Sequence, residues 1–175
     1  FPDTTFAGDP VWATPPTEAE RAEIVDTVWR PYHRRIRIEL DRLVEAHGFA
    51  CLWDAHSIAP ALPRLFAGTL PDLNLGSFDG AACPPAVSGP VLAVAQAGAQ
   101  AGAAQAGGGF TSILDGRFKG GYITRRYGRP DTRIYALQME IAQSAYMVDG
   151  SWQGPDPSLD FAKAETLRPV LRGMM

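Results

Sequence analysis

A short apolar run, Phe49 to Trp53, stops abruptly at Asp54-Ala55-His56-Ser57. It follows the helix-stop signal His47-Gly48 and is too short for a core helix, so it reads as a buried strand. A second run, Ile134 to Ile141, has the same character and carries Glu140 near its end. Helix-patterned segments lie before and between them. That alternation predicts an α/β fold with a partly parallel sheet. Such sheets put their active sites outside the carboxyl ends of strands. The polar cluster ending the first run is therefore the first candidate site.

The rest of the chain supplies the helices. Thr17-Glu18-Ala19-Glu20 has the form of a capping box. Apolar residues then recur at helical spacing through Ile24, Val28, Tyr32, Ile36, Leu40 and Leu43. Pro31 falls inside this pattern and should kink or split the helix. The charges among Arg30 to Glu45 read mostly as a solvated face. Ser57 to Leu75 reads as irregular and Asn74 to Gly80 as loop or strand-loop. A helix is expected over 91–106, weakened by Gly98 and Gly102 and ended by Gly107-Gly108-Gly109. Phe110 to Leu114 is a short strand, and Asp160 to Arg172 a C-terminal helix.

Composition narrows the function classes. The 175 residues are 46% hydrophobic and 20% charged, enough for one domain with a core. A net charge of −3 gives no reason to expect nucleic acid or an acidic membrane surface. No apolar stretch is long enough to span a bilayer. Two cysteines make no disulfide framework. Cys51, inside the first strand, and Cys83 are both expected to be packed thiols, compatible with a cytoplasmic location. The chain starts at Phe1 on a Pro/Gly/Asp-rich stretch, which reads as entry in mid-domain.

Three constellations could carry chemistry. The neutral imidazole of His56 is a ready metal ligand, and Asp54 could orient it. The alternative is a hydrogen-bonded structural histidine. His56 and Ser57 are adjacent and point to opposite faces of a strand, which disfavours a serine-hydrolase arrangement. The second constellation is Arg117 to Gly128. Arg117, Lys119, Arg125 and Arg126 are cationic donors, and Gly120-Gly121 permits close approach to a ligand. It lacks the phosphate-loop pattern; the alternative is a basic surface hairpin. The third is Gln138-Met139-Glu140. A carboxylate on a buried strand is costly unless paired or functional, and Glu140 could serve as a general base. The alternative is a glutamate reaching solvent at a strand end.

Together these segments resemble the N-formylglutamate amidohydrolase (N-formylglutamate deformylase) family. The matching text is Trp29-Arg30-Pro31-Tyr32-His33, Leu52 to Ser57, Pro63-Arg64-Leu65-Phe66 and Asp72 to Gly76. It continues through Gly116 to Arg125, Tyr127-Gly128-Arg129-Pro130, Gln138 to Gln143 and Tyr146-Met147. The resemblance implies a three-layer α/β/α sandwich with a mixed sheet, similar to zinc carboxypeptidases (phosphorylase/hydrolase-like). It implies hydrolysis of N-formyl-L-glutamate to formate and L-glutamate, in histidine degradation. Zinc is the implied cofactor, with His56 as a ligand and Glu140 as the catalytic general base. Arg117, Lys119 and Arg125 are the implied substrate-binding residues, and a small dicarboxylate the implied partner.

Two motifs that the resemblance leads one to expect, Ser-Pro-His-Ser-Gly and an Asn-Arg step, do not occur in these residues. A catalytic zinc usually takes three protein ligands, and this chain offers one convincing candidate. The expectation is a single domain over 1–175 that lacks an N-terminal segment of the enzyme. Asp115 stands where the family commonly has Asn. The alternatives are a related zinc hydrolase of another N-acyl amino acid, and a non-catalytic fragment or pseudoenzyme that binds a dicarboxylate.

Overall fold

The structure, a computed structural model, describes residues 1–103 and 109–175. The first helix, α1 (Glu18–Ile24), opens on the expected capping box. Thr17 Oγ1 accepts from the Glu20 N–H at 3.3 Å, and Glu20 Oε2 accepts from the Thr17 N–H at 2.8 Å. The coil then widens into a π turn, Val25–Trp29, before resuming as α2 (Arg30–His47). Pro31 explains the widening. It has no N–H to give, and its ring would strike the carbonyl four residues back. The π turn makes room, with the Arg30 N–H reaching Val25 O instead. Gly48, at φ 82°, ends α2 in the left-handed conformation.

Four strands follow: β1 (Ala50–Ile58), β2 (Leu73–Gly76), β3 (Ser112–Leu114) and β4 (Ile134–Ala142). They form one mixed sheet in the order β1-β4-β2-β3. β1 runs parallel to β4, β2 antiparallel to β4, and β3 parallel to β2. The helices α3 (Pro85–Ala103), α4 (Tyr122–Tyr127) and α5 (Phe161–Met174) complete the fold.

Strand periodicity divides the sheet into two faces. Leu73, Leu75, Leu137 and Met139 point to one face and pack with Ala95 of α3 and Leu167, Val170 and Met174 of α5. On the other face, Ala50 and Ile134 meet Leu40 of α2 and Tyr127 of α4. Helices therefore cover both faces of a mixed sheet, and burial of these side chains is the main force holding the layers together. No helix among the described residues is long and apolar enough to cross a membrane.

Several expectations change. β1 does not stop at Trp53 but continues through Asp54-Ala55-His56-Ser57 to Ile58. In the described sheet it is an edge strand, not a buried central one. Cys51 is consequently exposed, while Cys83 is buried in the core as expected. Residues 73–76 form a strand, because Leu73 and Leu75 both fill the core. α3 begins earlier than expected, at Pro85. Its expected end at Gly107-Gly108-Gly109 lies mostly outside the described residues. The basic run is not a hairpin: Tyr122–Tyr127 is helical.

Candidate active site

Beyond the part of the second face that α2 covers, the sheet becomes polar. Asp54 and His56 on β1 are register partners of Gln138 and Glu140 on β4. Across β4, Glu140 also faces Asn74, and Gln138 faces Gly76. Residues two apart share a strand face. Thus Asp54, His56, Gln138, Glu140 and Asn74 form one polar patch on three neighbouring strands, at the carboxyl ends of β1 and β4. Ser57 points the other way and accepts a hydrogen bond from Tyr146 Oη at 2.9 Å, so it takes no part.

Within the patch His56 Nε2–H donates to Asp54 Oδ1 at 2.8 Å. This orients the ring and leaves Nδ1 with a free lone pair. The imidazole is 47% exposed, whereas the Asp54 side chain is only 13% exposed. Glu140 is 7% exposed. Burial raises its pKa above the ordinary carboxylate value; the His56 imidazole opposes that rise and the Asp54 carboxylate adds to it. A buried, proton-retentive carboxyl beside an exposed imidazole is suited to moving protons.

Two buried amides frame Glu140. Asn74 Nδ2 donates to Pro71 O at 2.7 Å and to Glu140 O at 3.1 Å, which fixes the β2–β4 junction. Its Oδ1 is buried without a partner among the described residues. Gln138 Oε1 accepts the Gly121 N–H at 2.6 Å. Neither amide was assigned a role by sequence. The available signal was parity: Asn74 alternates with Leu73 and Leu75, and Gln138 with Leu137 and Met139.

Of the predicted cations, Arg117 and Lys119 lie on the loop before α4 and Arg125 on α4 itself, each already in contact with the protein. Arg117 donates from Nη2 to Leu65 O at 2.6 Å, with its guanidinium over the Phe66 ring. Lys119 pairs with Asp79 at 2.8 Å. Arg125 donates from Nε to Gly121 O at 3.2 Å and lies over the Phe78 ring. Its two terminal nitrogens have no partner among the described residues. Arg125 is thus the cation best presented for bidentate carboxylate recognition. Among the described residues no hydrogen bond or ion pair joins Arg117, Lys119 or Arg125 to Glu140.

The loop that carries Arg117 and Lys119 is locked to the turn at 77–80. Phe78, Asp79 and Gly80 have φ of 58°, 51° and 84°, a run in the left-handed region. For the two non-glycine residues this costs of order 1–2 kcal/mol each. Asp115, itself at φ 52°, offsets the strain by accepting from the Ser77 N–H at 2.7 Å and from the Ser77 hydroxyl. The Phe78 N–H reaches Lys119 O at 2.6 Å. Gly76 lets the two loops touch: a Cβ there would sit 2.5 Å from Gly120 N.

The metal expectation meets a donor shortage. Among the described residues no group of three His, Cys, Asp or Glu side chains could hold a metal ion. A separate apolar groove of about 550 Å³ is lined by Ile24, Val28, Trp29, Tyr32 and His33, among others. None of the predicted site residues lines it.

Comparison with known proteins assigns this arrangement to a family. The family model for N-formylglutamate amidohydrolase matches residues 1–147. An N-formylglutamate deformylase of Pseudomonas putida is 49% identical over 149 residues, covering 84% of this chain and 52% of that protein. A second, from Pseudomonas aeruginosa, is 42% identical over 181 residues, covering 100% of this chain and 62% of that protein. The chain therefore spans about half to three-fifths of the length of the curated relatives it matches. The crystal structure of N-formylglutamate amidohydrolase from Ralstonia eutropha JMP134 has the same fold. Its TM-score is 0.75 at 24% identity, over 95% of this chain and 55% of that one. With the motifs, the fold and the sequence relatives in agreement, the chain belongs to the N-formylglutamate amidohydrolase family.

Proposed function

We propose that these residues form the proton-transfer and carboxylate-binding part of an enzyme that hydrolyses N-formyl-L-glutamate to formate and L-glutamate. Relatives named N-formylglutamate deformylase support the substrate. The observation that carries the chemistry is the pairing of exposed His56 with buried Glu140 on adjacent strands.

In this mechanism Glu140 accepts a proton from the attacking water as oxygen bonds to the formyl carbon. It then gives that proton to the departing amine as the C–N bond breaks. Water is consumed, and formate and glutamate leave with atoms and charge balanced. Arg125 takes one substrate carboxylate through its terminal nitrogens. Lys119 takes the other by exchanging Asp79, a partner held only in a solvent-exposed pair. Arg117 holds the loop over Phe66 and adds positive potential.

Zinc is the cofactor we propose. His56 would hold it through Nδ1, and the remaining ligands would come from outside these residues, since the donor set here is incomplete. Bound zinc would polarise the formyl oxygen. The proposal extends to a cytoplasmic role in histidine degradation and to similarity of the whole fold with zinc carboxypeptidases.

The test is Glu140→Gln in an enzyme of the relatives' full length. It should lose on the order of 10²–10⁴-fold in kcat, with metal content by elemental analysis unchanged. Near-normal turnover would remove Glu140 from the mechanism.

A further inference from the structure

Gln138 is 6% exposed and lies on the same face of β4 as Glu140, two residues before it. Its Oε1 faces the Gly121 N–H at 2.6 Å. A backbone N–H can only donate, so the side-chain atom facing it must be the oxygen. That contact fixes the amide and sends Nε2 the other way. Among the described residues no acceptor takes a hydrogen bond from Nε2. Unlike Asn74 Oδ1 and Thr124 Oγ1, Nε2 is not sealed from solvent. Of the two neighbouring carboxylates on the patch, Asp54 is engaged with His56, and among the described residues no hydrogen bond joins Nε2 to Glu140.

The anchoring is specific to this geometry. Gly121 has no Cβ, and one built there would come within 3.3 Å of Gln138 Oε1. The Gly121 carbonyl in turn accepts from the Arg125 backbone N–H at 3.1 Å and from Arg125 Nε at 3.2 Å. One residue, Gly121, through its two flanking peptide groups, thus ties a strand-borne amide to the cation that approaches it from α4.

We propose that Gln138 is a further catalytic residue: its Nε2–H donates to the substrate's acyl oxygen as that oxygen gains negative charge. This rests on the amide-hydrolysis reading above. A donor held in place before reaction needs no reorganisation as charge develops, which is where such groups contribute most. The buried setting strengthens the bond, because little water competes for the same oxygen.

The experiment compares Gln138→Glu and Gln138→Met with the parent in an enzyme of the relatives' full length, using N-formyl-L-glutamate. Glutamate keeps an oxygen for the Gly121 N–H and gives up the donor; methionine gives up both. Both variants should lose roughly 10- to 100-fold in kcat with KM little changed. A second carboxyl beside buried Glu140 should lower the unfolding midpoint of Gln138→Glu at pH 7, so folding of both variants is checked by circular dichroism at the assay temperature. Retention of kcat in Gln138→Glu alongside loss in Gln138→Met would overturn the proposal, leaving Gln138 only its clamp on Gly121. Retention in both would overturn it too. A pH–rate profile separates the added charge from the lost donor. Recovery of Gln138→Glu to parental kcat at pH values where the new carboxyl is ionised, and so cannot donate, would count against the donor; depression throughout that range would count for it. A parent that does not turn over N-formyl-L-glutamate removes the underlying reading and this inference with it. An active parent with unaffected variants removes only Gln138.

Discussion

His56 and Glu140, far apart in sequence, are direct partners in the parallel register of β1 and β4. The register brings an imidazole open to solvent against a carboxyl that is almost wholly buried. Their difference in burial, more than their proximity, gives the pair its chemical asymmetry.

That asymmetry has a stability cost with a definite pH window. Burial raises the folded-state pKa of Glu140 above the ordinary carboxylate value. The folded state therefore holds this proton more tightly than the unfolded state. The penalty is absent below the unfolded pKa, grows as pH rises to the raised folded pKa, and is constant above it. Glu140→Gln should raise the thermal unfolding midpoint at pH 7, and the gain should vanish below about pH 4. Melting curves at both pH values check this; an equal gain at both would assign the effect to packing.

Arg125→Ala tests carboxylate recognition. Losing one charge-assisted bond in a partly enclosed site should reduce kcat/KM for N-formyl-L-glutamate by roughly 30- to 1,000-fold. An N-formyl amino acid with an uncharged side chain should be affected much less if Arg125 binds the side-chain carboxylate. Equal losses on both substrates would move Arg125 to the α-carboxylate. No loss on either would leave it an ordinary surface arginine.

Gly76→Ala tests the contact between the two loops. The new methyl would meet backbone at 2.5 Å from Gly120 N and 2.7 Å from Lys119 C. Neither atom belongs to a flexible side chain that could move aside. A destabilisation of roughly 1–3 kcal/mol is expected in denaturant titration. Activity should fall as well, because Gly121 and Arg125 follow directly on the displaced segment.

The two thiols should separate in reactivity in the 175-residue chain. Cys51 is exposed and Cys83 buried, with burial pushing the Cys83 thiol up to about 11. A disulfide reagent at pH 8 should modify Cys51 in the folded chain and Cys83 only after unfolding. Burial also raises the Cys51 pKa, so its reaction should accelerate as pH increases. Simultaneous modification of both would contradict the packing of Cys83.

Much of the site was legible because alternation is a local property. Parity alone placed Asp54 with His56, and Gln138 with Glu140. The capping box at Thr17 and the disturbance at Pro31 were equally local. The edge position of β1 was not legible, since strand order depends on pairing between distant segments; hence Cys51 was misplaced in the core. The helix Tyr122–Tyr127 escaped notice because its start depends on Gly120 at φ 112° and on Gln138 holding Gly121. The partners of Arg117 and Lys119 come from loops far away in the chain. Spacing within the basic run carries no information about them.

The π turn at Val25–Trp29 also sets how the chain tolerates change. A π turn amounts to one extra residue in an α-helix, and one residue is about 100° of rotation. The coil before Trp29 and the coil after it are therefore out of phase. Deleting any one residue of this turn would rotate all of α1 by more than a quarter circle relative to α2. It would also drive the Pro31 ring against the preceding carbonyl. A one-residue deletion anywhere in Val25–Trp29 should thus be far more damaging than a side-chain replacement at the same place, although most of these side chains face solvent.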